Sequence, residues 1–157
     1  MINQKALKQI ILFLVALFLM ANISFSATSV SPQPEVTFNG EIKGNRPAER
    51  GVISFKISKQ GTSIFKIKLT LHSLQSNKCS DGDSVTIGEL SLTPKDLFPI
   101  EKDTIEFSID QHKLKGQFIS PTEANGIINL VFTFFEKKTC NFGTWTWSAK
   151  AQKQVGK

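Results

Sequence analysis

The stretch Gly51–His72, GVISFKISKQGTSIFKIKLTLH, decides the fold class. Ile53, Phe55 and Ile57 fall on one parity, and Ser54, Lys56 and Ser58 on the other. After Gln60-Gly61 the alternation resumes, with Phe65, Ile67, Leu69 and Leu71 set against Lys66, Lys68, Thr70 and His72. A side-chain period of two belongs to strands, because successive residues of an extended chain point to opposite faces. Two such runs around a Gly-containing turn predict a hairpin with one dry and one wet face.

The same period recurs outward from this hairpin. Upstream, 35–42 reads as a first strand, closed by the loop chemistry of Gly44-Asn45-Arg46-Pro47. Downstream, Val85 and Ile87 share one parity and Leu90 and Leu92 the other, so the slip at Gly88-Glu89 predicts a β-bulge. Pro94–Pro99 reads as a loop. Ile105, Phe107 and Ile109 alternate, turn near Gln111-His112, and pair with Leu114, Gly116 and Phe118. Ser120–Gly126 reads as a loop in which Asn125-Gly126 supplies the turn. Ile127–Phe135 is apolar on both parities, as expected of a central strand covered on two sides. Finally Trp145, Trp147 and Ala149 share one face, with Thr144, Thr146 and Ser148 on the other. No segment has a helical period. About eight short strands predict an all-β fold, a single antiparallel β-sandwich over 35–151, with a barrel as the alternative.

The N-terminus has a different character. Met1–Gln9 carries Lys5 and Lys8 and no acid, and Ile10–Met20 is an unbroken apolar run. Eleven residues are too few for a spanning helix, which needs roughly 20, but they suit a signal-peptide core followed by small residues. Ser24 and Ser26 predict cleavage after Ser26, hence an exported protein, periplasmic or extracellular, with no integral membrane segment once processed. Removing residues 1–26 leaves 131 of the 157 residues and lowers the charge from +6 to +4. Residues 27–34 read as a flexible leader and 152–157 as a tail.

Export permits disulfides. The two cysteines, Cys79 and Cys140, are 61 positions apart and allow one intramolecular pairing. They are expected to be bonded to each other. Two Cys and two His, scattered, provide no metal-ligand spacing, and no metal or other cofactor is expected. A strained nucleophile turn, a Gly-rich phosphate loop and a block of like charges are all missing, so no catalytic residue and no nucleic-acid partner is expected. The lysines, among them Lys56, Lys59, Lys66 and Lys68, fall singly among strand residues and suit solvated faces, with weak attraction to an anionic envelope polymer.

The order of motifs carries a likeness. Gly40 and Gly44 precede Gly51-x-Ile53-x-Phe55-x-Ile57, then Cys79, Phe98-Pro99-Ile100 and Phe107. Gly116-x-Phe118, Ala124-x-Gly126, Cys140-x-x-Gly143 and Trp147-x-Ala149 complete the series. In this the chain resembles an uncharacterised all-β domain of secreted bacterial proteins, over about 38–150. The resemblance implies paired cysteines and no known activity, and Trp145 departs from its pattern.

Few residues suggest a site. Trp145 and Trp147 stand two apart in a strand, where coplanar indoles either fill the core or, if exposed, form a platform for sugar rings. The polar opposite parity favours the core. Asp81 and Asp83 fit turn chemistry better than calcium, which wants six to eight oxygens. Glu101, Asp103, Glu106 and Asp110 are acids with no pattern that selects a catalytic pair. Aromatic residues make up 10% of the chain, with 13 Phe, two Trp and no Tyr, which places aromatics inside rather than on a broad interface. The expectation is a non-enzymatic envelope or extracellular module that binds or builds, with envelope polysaccharide or another exported protein as candidate partners. The alternatives are a carbohydrate- or cell-wall-binding module using Trp145 and Trp147, and a small secreted hydrolase or hydrolase inhibitor.

Overall fold

The computed structural model describes residues 29–109, 111–134 and 137–152. The predicted signal peptide lies outside the described residues, as do Asp110 and Phe135. Ten strands form: β1 (Thr37–Lys43), β2 (Arg50–Ile57), β3 (Ser63–Gln75), β4 (Lys78–Cys79), β5 (Thr86–Leu92), β6 (Phe98–Glu101), β7 (Thr104–Ile109), β8 (His112–Ser120), β9 (Glu123–Thr133) and β10 (Thr139–Ala151). Every pairing is antiparallel. Neighbours run β1-β2-β3-β6-β7-β8-β9-β10, and β10 returns to β1 from Phe38↔Ala151 to Lys43↔Thr146. The expected two-sheet sandwich therefore gives way to its alternative, an eight-strand barrel. Alternation is common to both architectures; closure depends on the β1–β10 pairing, which joins the two ends of the domain.

The 13-residue strands β3 and β10 each serve two neighbours along one edge. The start of β3 pairs β6 and its end pairs β5, while the start of β10 pairs β4 and its end pairs β1. Both extra strands sit at the same end of the barrel. There the chain leaving β3 crosses the β1–β2 turn to reach β10, with Asn77 N–H donating to Asn141 O at 2.8 Å.

The Gly51–His72 hairpin forms, but its dry face is not the simple alternation. Ile64 and Ile67 point inward, and Phe65 is only half-buried. Lys66 has φ 51°, and two residues of β3 oppose Phe55 alone, so a bulge shifts the phase there. No register shift occurs at Gly88-Glu89. Its slip in parity is matched on β3 at Ser73, φ 57°, so Leu74↔Ile87 and Leu71↔Leu90 stay paired. Phe98–Glu101 is a strand rather than loop. Asn125-Gly126 lies within β9 and the turn is made at Pro121-Thr122. β9 is paired along both edges, yet its outer face is not covered on the second side, since Ile127 is exposed. The leader is packed where it is described: Pro32 is buried and Gln33 N–H donates to Pro121 O at 2.9 Å.

Aromatic side chains fill the interior. Phe38 stacks on Phe55 at 5.1 Å, Phe118 meets both edge-on, and Trp147 stands edge-on to Phe55 at 6.1 Å. Two glycines make room for Trp147. A Cβ on Gly116 would lie 2.2 Å from Trp147 Cζ2, and one on Gly126 would lie 2.0 Å from Lys115 O and 2.8 Å from Trp147 Nε1. Gly126 is thus explained by close approach within a strand, not by turn geometry.

Candidate functional site

Trp145 and Trp147 are the residues the sequence offers as a ligand platform. Trp145 is 0 % and Trp147 3 % exposed, and both project into the barrel while Thr144, Thr146 and Ser148 point out. Trp145 Nε1 donates to Phe142 O at 3.0 Å, and Trp147 Nε1 donates to Lys115 O at 3.3 Å. A buried indole needs such an acceptor for its N–H. Stacking on a sugar requires a ring face in water, so the platform is corrected to core filling.

Cys79 and Cys140 are bonded, S–S 2.02 Å, and lie directly opposite in the β4–β10 register. The bond fixes the segment that crosses the barrel end. Beneath that crossing lies a group the sequence did not reveal. Glu49 is buried, and its carboxylate accepts from Arg46 N–H at 2.9 Å, Arg46 Nη1 at 2.8 Å and Gln75 N–H at 3.3 Å. Arg46 reaches on to Gln75 O at 2.8 Å. A buried charge is tolerated when it is paired and hydrogen-bonded; here it ties the β1–β2 turn to the end of β3. Arg46 and Glu49 stand three apart in one loop, and only Gln75 joins them from a distance along the chain.

Asp81 and Asp83 lie beyond the disulfide. Asp81 Oδ1 accepts from Asp83 N–H at 3.1 Å across Gly82, φ 91°, which is turn chemistry. Lys138 answers the negative charge, bonding Asp81 and reaching Asp83 at 3.2 Å. The hydrogen bond from Lys138 holds the Asp81 carboxyl below its ordinary value, and Asp81 in turn holds the Lys138 ammonium above its own. Among the described residues no cluster of His, Cys, Asp and Glu could hold a metal ion.

The histidines and remaining acids are dispersed. His72 is half-exposed and 3.6 Å from Glu89. His112 is buried, its Nδ1 accepting from Val131 N–H at 3.3 Å and its ring 4.3 Å from Phe132. Its parity with Leu114 and Phe118 was the available signal. Glu106 pairs with Lys115 at 2.8 Å on the outer face, and Glu101 is exposed in β6.

Outside the barrel one surface has a distinct chemistry. Phe65, Lys66 and Lys68 of β3, Ser58 and Lys59 after β2, and the 93–97 segment line an open groove of about 820 Å³. Its lining is mostly apolar and includes Pro94 and Leu97, the latter 66 % exposed. Four lysines border it: Lys59, Lys66, Lys68 and Lys95. Lys66 Nζ lies 5.8 Å from the centre of the Phe65 ring. Elsewhere Lys43, Lys115, Lys138 and Lys150 each pair with a carboxylate, but none of these four does so among the described residues. Three of the outward lysines expected from the sequence, Lys59, Lys66 and Lys68, are thus brought together with Lys95 by the β2–β3 hairpin and the β5–β6 loop. Comparisons with protein-family models, curated proteins and solved structures gave no match.

Proposed function

We propose that the protein is an exported, non-enzymatic binding module that attaches to anionic material of the envelope or its surroundings. The observation that carries this reading is the groove bordered by Lys59, Lys66, Lys68 and Lys95 with no carboxylate partner among the described residues. Like charges gathered without counter-charges repel one another, and an anionic partner relieves that cost. The aromatic interior supports the same reading from the other side, since side chains occupy the bore in which a small barrel could otherwise hold a ligand. The disulfide is consistent with export, and no described helix is long and apolar enough to cross a membrane.

The test is retention of the purified mature protein on an immobilised phosphate- or carboxylate-bearing polymer, followed against salt. Lys66→Gln/Lys68→Gln is compared with Lys113→Gln/Lys137→Gln, which has the same net charge. If the groove is the site, only the first pair loses binding, by roughly tenfold or more at low salt. Equal losses from both pairs would reduce the effect to net charge and overturn the proposal.

A further inference from the structure

Apolar residues and lysines line the same groove, and that combination narrows the partner. We propose that the groove docks on an anionic lipid bilayer, with Leu97 entering the interface and the four lysines meeting lipid phosphates; this rests on the binding reading above.

Two observations favour a bilayer over a folded or extended acidic partner. First, every cation of the groove is lysine, while the only two arginines of the chain, Arg46 and Arg50, lie at the other groove beside β1. Lysine is a point charge on a flexible stem that meets many phosphates without fixed geometry, whereas arginine suits bidentate recognition of one group. Second, Leu97 is the most exposed of the large hydrophobic residues among those described, and it stands in the segment between β5 and β6, beside Pro94. An apolar residue held in water in a groove that four lysines line has the composition of interfacial membrane anchors, in which apolar contact and electrostatic attraction act together. Lysine stems are long enough to contact apolar surface while their ammonium groups stay at headgroup level. Asp96, between Lys95 and Leu97 in sequence, and Glu35, whose N–H bonds Ser58 O, do not pair with these lysines among the described residues. The occupant is therefore a surface rich in phosphate charge with hydrocarbon beneath it.

The experiment is co-sedimentation of the mature protein with vesicles of phosphatidylglycerol and phosphatidylcholine mixtures, beside a soluble polyphosphate. Binding should rise with phosphatidylglycerol, vanish on pure phosphatidylcholine and fall with salt. Lys66→Gln/Lys68→Gln should weaken it about 25-fold, at roughly fivefold per lysine. Leu97→Ser, which leaves the charge unchanged, should weaken vesicle binding by about tenfold and leave polyphosphate binding as it was. Circular dichroism establishes that each variant is folded. Vesicle binding unaffected by Leu97→Ser overturns the lipid inference and leaves the lysine-face reading standing. Binding to neither vesicles nor polyphosphate overturns both.

Discussion

Replacing Gly116 by Ala puts a methyl group where the indole of Trp147 already is. The added Cβ would stand 2.2 Å from Trp147 Cζ2 and 2.6 Å from Asn125 O. Trp147 has little freedom to withdraw, because Nε1 is bonded to Lys115 O and its ring abuts Phe55. Overpacking of this kind costs about 1–3 kcal/mol, and the contact with backbone places Gly116→Ala in the upper half of that range. For a domain of this size the melting temperature should fall by roughly 10 °C. Trp147→Phe alone leaves a cavity and should cost about 2 kcal/mol. Combined with Gly116→Ala, the smaller ring clears the worst contact, so the double variant should be more stable than additivity predicts by about 1 kcal/mol. Gly126→Ala meets mainly backbone, Lys115 O at 2.0 Å and Gly116 Cα at 2.5 Å, so Trp147→Phe should relieve it much less. Urea unfolding followed by far-ultraviolet circular dichroism measures all six proteins, both double variants included, without depending on the indole signal. Gly116→Ala as stable as wild type, or strict additivity with Trp147→Phe, would refute the packing described here.

Other substitutions test the barrel end. Cys140→Ser should destabilise the protein by about 4 kcal/mol, the chain-entropy value for a closed loop of this length, read from the denaturant midpoint under non-reducing conditions. Glu49→Gln leaves Arg46 without its carboxylate and should cost about 1–3 kcal/mol, measured in the same way; no change would remove the cluster from the account. Lys138→Ala tests the Asp81–Lys138 pair through pH. Asp81 is lowered from 3.8, so its contribution is present above that value and is lost as pH falls through the lower folded value. Lys138 is raised from 10.5, so its contribution is full below that value and is lost as pH rises through the higher folded value. The difference in melting temperature between wild type and Lys138→Ala should be level across neutral pH and shrink at both extremes.

The sequence made strand parity legible wherever inward residues run unbroken. Ile53, Phe55 and Ile57, and again Trp145, Trp147 and Ala149, point into the core as their alternation says. Parity failed at Lys66 and Ser73, where a non-glycine residue takes positive φ and no turn residue marks the slip. Asn125-Gly126 misled because glycine serves two purposes, and here the need was room beneath Trp147 rather than a turn. Closure was out of reach, since β1 and β10 meet across more than a hundred residues. The lysine groove was half-visible: the cations were evident on the hairpin, but Lys95 and Leu97 join them only through the path of the β5–β6 loop.

The interior is packed with the chain's own side chains, Trp145 and Trp147 among them, and the proposed binding face lies outside it. Acrylamide quenching of tryptophan fluorescence on the mature protein, beside Trp145→Phe and Trp147→Phe, measures this most directly. Both indoles should emit at short wavelength and resist quenching, unchanged by soluble polysaccharides. Red-shifted, readily quenched emission from either indole would place it in water and return the sugar-platform reading to the front.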